Sequence, residues 1–147
     1  MLFWLLLSIA LAATVAWQIR LERQHFLPVA RQPQRIVIHA DLHDTTLEFT
    51  DGQWRSAGKA ANAQRIADWL ELLRACQGNY REEDITPPPD AHPVQIHIDG
   101  ELYQLGAANP FANAHYITHH GRAYLCEQSV KATLRLPADL WLEKPDA

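Results

Sequence analysis

Residues 103–126 read YQLGAANPFANAHYITHHGRAYLC, with three histidines, two asparagines and three tyrosines set around one proline. So dense a stretch can be a metal or catalytic site, or two strands and the loop between them. The pattern favours the second reading. YQLG closes one strand at Gly106, AANPFANA has loop composition, and HYITHHGRAYLC reads as a hairpin turning near His120-Gly121. On a strand His115, Ile117 and His119 share one face, while Tyr116, Thr118 and His120 share the other. Two histidines on one face can begin a metal site. A closed site needs a third or fourth ligand and supporting hydrogen bonds. His97 and His43 lie on other strands, and nothing in the sequence brings them near. No metal or cofactor is therefore assigned, and His115, His119 and His97 stand as the candidates against exposed or hydrogen-bonded strand histidines.

Working outward, RIVIHADLHDTTLEFTDGQW (35–54) alternates apolar and polar residues and turns at Asp51-Gly52. VQIHIDGELYQLG (94–106) repeats the pattern around Asp99-Gly100. Between them, Ile66, Trp69, Leu70 and Leu73 recur at i, i+3, i+4 and i+7, which predicts an amphipathic helix. Ala63 and Cys76 extend its apolar face, and Gly78 is the expected stop. Residues 79–93, with three consecutive prolines, read as a stiff connector. The chain closes with a helical turn, a break at Pro137 and a short helix ending near Trp141. The predicted fold is α+β: a mostly antiparallel sheet with one long amphipathic helix packed on it and a short C-terminal helix.

The first nineteen residues, MLFWLLLSIALAATVAWQI, carry no charged side chain. As a helix they would extend roughly 27 Å, close to a bilayer's hydrocarbon thickness. Trp4 and Trp17 lie near the two ends, as interfacial rings do. Residues 1–19 are thus expected to be a transmembrane anchor in the lipid bilayer, 20–34 a juxtamembrane tether and 35–147 a soluble domain. A cleaved signal peptide is the alternative, disfavoured by an n-region without Lys or Arg. The arginines after the anchor would hold the domain in the cytoplasm under the positive-inside rule, a weak rule for long domains.

Two cysteines, Cys76 and Cys126, form no zinc or CxxC motif. They are expected to pair, since Cys76 continues the buried helix face and Cys126 lies on a strand beneath it; two separate buried thiols are the other reading. An even cysteine count suits an oxidising compartment. The net charge of −4 and the lack of a basic stripe argue against nucleic acid as a partner. The chain contains no GxSxG, HExxH, P-loop or GxGxxG sequence, and no enzyme activity or catalytic residue is assigned.

The turn pair Gly52 and Trp54, the helix Ile66 to Leu73, the Leu105-Gly106-x-x-Asn109 segment, Tyr116 and the strand Ala123 to Leu125 together resemble one known family. It is the uncharacterised "domain of unknown function" family of bacterial envelope proteins, which occurs in auxiliary subunits of gliding-motility-type ABC transporters. The resemblance spans roughly residues 35–142 and brings no catalytic residues; longer members carry more than one such unit. Together with the even cysteine count it implies a periplasmic domain. With the apolar N-terminus and the lack of a catalytic motif, the expected protein is a single-pass inner-membrane, non-enzymatic module that binds or stabilises a larger membrane protein complex, such as a transporter. A periplasmic metal-handling protein using strand histidines is the rival reading.

Overall fold

A computed structural model describes residues 2–23, 25–41, 43–81 and 83–144, with the side chains of 2–6, 19–23 and 79 outside the description. Helix α1 (Leu2–Arg23) is followed by strands β1 (Arg35–Ala40), β2 (His43–Thr50), β3 (Gln53–Ser56) and β4 (Lys59–Ala60). Helix α2 (Ala63–Arg74) leads to β5 (Gln77–Arg81). Then come β6 (Val94–Ile98), β7 (Glu101–Ala108), β8 (Ala114–His119), β9 (Arg122–Glu127), α3 (Gln128–Leu134) and a 3-10 turn (Ala138–Trp141).

Every strand joins one antiparallel sheet of order β4-β3-β2-β1-β6-β7-β8-β9-β5. Local chemistry builds most of it. Among the described residues, the two-residue turns Asp51-Gly52, Ala57-Gly58, Asp99-Gly100 and His120-Gly121 each have positive φ at both positions. That backbone matches the right-handed twist of the flanking strands, and glycine at the second position adopts it without steric cost.

One face of the sheet is apolar: Ile36, Ile38, Leu47, Val94, Ile96, Ile98, Leu105 and Ile117 are all at most 2% exposed. Helix α2 lays Ile66, Trp69, Leu70 and Leu73 against that core, and Trp69 meets Trp141 edge-on with ring centroids 5.9 Å apart. Asn62 caps α2 by accepting the Arg65 backbone N–H at 2.9 Å. From β4 at one edge of the sheet, the chain passes through α2 to β5 at the other. There the Cys76–Cys126 disulfide ties the end of that crossing to β9, with Cα atoms 4.4 Å apart and both cysteines buried.

Several expectations are corrected. Among the described residues no helix is long and apolar enough to cross a membrane, which overturns the single-pass anchor over 1–19 and the inner-membrane placement that rested on it. Trp4, expected to be one interfacial ring, lies outside the described side chains. The fold is corrected too: the amphipathic helix is not long. Helix α2 has 12 residues and is capped at Ala75, ahead of Cys76, while Gly78 belongs to β5 with φ +136°. The chain after α1 is no free tether either. Leu27 is buried, its N–H donates to the Cys76 carbonyl at 2.9 Å, and the Gly78 N–H donates to the His25 carbonyl at 2.9 Å. Phe26 thereby bridges to β5, as Leu142 bridges to Ala61 beside β4. Both sheet edges acquire a cover that protects their unpaired backbone groups.

Candidate functional site

The chemically richest corner is built by two adjacent hairpin ends. Glu101 opens β7 immediately after the Asp99-Gly100 turn, and His119 closes β8 immediately before the His120-Gly121 turn. Strands β7 and β8 pair antiparallel with Leu105 opposite Ile117, which carries Glu101 and His119–His120 to the same end of the sheet. Neighbouring residues on a regular strand point to opposite faces. His120 has left the strand for a turn at φ 48°, and its ring meets the His119 ring at 4.1 Å in an edge contact.

His119 is held firmly. It is 6% exposed, its ring stacks parallel on Tyr103 at 4.1 Å, and its Nδ1 lies 2.8 Å from the Leu102 carbonyl oxygen. A carbonyl only accepts, so Nδ1 carries the proton and the Nε2 lone pair is available. His120 Nε2 lies 2.5 Å from Glu101 Oε2, and both side chains are more than half exposed. One ligand atom from each of Glu101, His119 and His120 falls within 4.8 Å of the others. The floor of the corner is Tyr103, whose hydroxyl donates to the Pro28 carbonyl at 2.7 Å. Burial, reinforced by the charges of Glu101 and Asp99, pushes the Tyr103 phenol up to about 12.

Of the three histidines that the sequence offered for a metal, only His119 belongs to this group. His115 Nδ1 lies 3.3 Å from the Gly106 carbonyl, and His97 meets His39 edge-on at 5.7 Å. Glu101 and His120 escaped sequence reasoning because strict alternation sends His119 and His120 to opposite faces. The signal was the turn itself: a residue at positive φ leaves that alternation.

A second polar feature sits under the proline loop. Lys131 is 5% exposed on α3; its Nζ donates to Asp90 Oδ2 and, at 3.0 Å, to the Gly106 carbonyl. Burial opposes ionisation of Asp90. The hydrogen bonds from Lys131 and from the His92 backbone N–H, with the charges of Lys131 and His115, outweigh it and lower the pKa.

The third feature is α1. Every described side chain from 7 to 18 is exposed, including Leu7, Ile9, Leu11, Val15 and Trp17 at 48–67%. Comparison with protein-family models, with curated proteins and with solved structures finds no match.

Proposed function

We propose that this chain is a non-enzymatic binding module of an envelope compartment, which steadies a larger protein assembly by docking α1 onto it. One observation carries the reading. Leu7, Leu11 and Val15 recur at i, i+4 and i+8 as a single ridge, and all are exposed. Exposed apolar side chains grouped in this way support an interaction site. The Cys76–Cys126 disulfide supports an oxidising compartment, where such bonds form and persist. The resemblance to envelope accessory proteins points the same way. The domain behind α1 suits a scaffold, with its core stapled and its sheet edges covered.

Affinity capture of the full chain from its native host, alongside Leu11→Gln/Val15→Gln, tests the reading. A stoichiometric partner that co-purifies with the parent chain and is lost with the double variant is expected. Capture of the same partner at equal yield by both chains would refute docking through α1.

A further inference from the structure

We propose that Glu101, His119 and His120 form a binding site for one divalent transition-metal ion of the zinc or copper class. Two imidazoles and a carboxylate are the donor set such ions take, leaving a position for water or a partner's ligand. Three features separate this corner from a chance meeting of polar side chains.

The first is preorganisation. A metal-binding histidine commonly donates its other ring N–H to a carbonyl or carboxylate, which fixes tautomer and orientation. His119 does this through Nδ1 on the Leu102 carbonyl, while its ring is clamped flat against Tyr103. Its Nε2 is thus a fixed donor on a buried ring.

The second is adjustability where it is needed. Ligand bonds of about 2.0–2.1 Å in a tetrahedral site set ligand atoms about 3.3 Å apart. One ligand atom from each of the three residues lies within 4.8 Å of the others, so side-chain rotations close the site. Those rotations fall to Glu101 and His120, whose side chains are 53% and 71% exposed, and not to the packed His119. The ion replaces the hydrogen that Glu101 Oε2 and His120 Nε2 share at 2.5 Å.

The third is charge. The Glu101 carboxylate lies in the corner, and Asp99, the first residue of the Asp99-Gly100 turn, adds a second negative group along the same depression. Asp99 is already engaged: its Oδ1 accepts the backbone N–H groups of Gln34 and Arg35 at 2.8 and 2.9 Å. It contributes field and leaves coordination to the other three.

Calorimetric titration of the metal-stripped full chain with Zn²⁺, repeated with Cu²⁺, tests the site. Saturation by about one ion per chain below about 0.1 mM is expected. Glu101→Gln and His120→Ala, both at exposed positions, should each weaken binding about tenfold or more with the circular dichroism spectrum unchanged. His92→Ala, a change at a histidine paired with Asp41 away from the corner, should leave affinity alone. No saturation of the parent chain by either metal by about 0.1 mM, or equal affinity in Glu101→Gln and His120→Ala for whichever metal saturates it, overturns the proposal. So does a loss in His92→Ala as large as theirs. His119→Phe keeps an aromatic ring on Tyr103 and should abolish binding; because its folding is less secure, the two exposed variants decide.

Discussion

Helices α1 and α2 are both rich in apolar residues, yet they stand in opposite relations to the rest of the protein. In α2 the apolar residues recur at helical spacing, polar ones lie opposite, and all four of Ile66, Trp69, Leu70 and Leu73 are buried. In α1 apolar residues run around the whole cylinder, and none of the described side chains is buried. The difference teaches that periodicity, more than hydrophobicity, tells which surface a helix meets within its own fold. A one-sided stripe specifies a face of the sheet. An apolar run without a polar side names no partner in the chain, and reading it as an anchor supplied a partner that the structure does not support. Helix α3 stands between them, seated partly by Val130 and Leu134 and partly by the buried Lys131.

The largest way to break the contrast is at Trp69, which is 1% exposed and packed edge-on against Trp141. Trp69→Ala should cost about 3–5 kcal/mol, the loss expected from deleting a large core aromatic. Urea unfolding followed by circular dichroism would show it. A cost below about 1 kcal/mol would mean that α2 is no better anchored than α1.

Next in size is the disulfide that fixes the end of the α2 crossing. Loop closure across a sequence separation of 50 residues stabilises by about 4 kcal/mol on entropic grounds. Cys76→Ser with Cys126→Ser should therefore lower stability by up to that amount, measured by the same unfolding curve. Unreduced intact-mass analysis of the parent chain should show two hydrogens fewer than the reduced form.

Much of the sheet was legible in the sequence, and the reason is local. Asp51-Gly52, Asp99-Gly100 and His120-Gly121 announce their own turns, and the alternation beside them fixes which side faces the core. Strand β5 was not legible. Gln77–Arg81 has no alternation and Tyr80 as its single strong strand former, so its place depends on β9 across the disulfide and on His25 and Phe26 at its outer side. The docking of Leu27 was hidden for the same reason, since a single buried leucine between charged and proline-rich residues makes no pattern. At the candidate site His119 could be named, but its partnership with Glu101 needs the β7–β8 register, which only the folded chain provides.

The Lys131–Asp90 pair gives a smaller effect with a pH signature. Lys131→Met should cost about 1–3 kcal/mol at neutral pH by leaving a shielded carboxylate without its main partner. The Asp90 pKa is lowered in the fold, so the stability it contributes is present above its unfolded value near 4 and lost as pH falls through the lower folded value. The gap in stability between the parent chain and Lys131→Met should accordingly narrow in acid. A gap that stays constant from pH 7 to pH 3 would show that Lys131 acts by packing alone.

The smallest effect on stability belongs to α1, and its smallness is the sharpest form of the contrast. Leu11 is 67% exposed and Trp17 is 64% exposed, with no burial to lose. Leu11→Gln and Trp17→Gln should each leave the unfolding free energy of the isolated chain within about 0.5 kcal/mol of the parent, as surface substitutions away from special features do. The apolar surface they remove is nevertheless what a docking partner would cover, so the same variants should weaken association while leaving the fold intact. A residue that matters for stability in α2 and one that matters only for association in α1 would then differ in kind. If Leu11→Gln instead destabilised the isolated chain by more than about 1 kcal/mol, α1 would be packing on its own domain in solution, and its apolar surface would no longer require an outside partner.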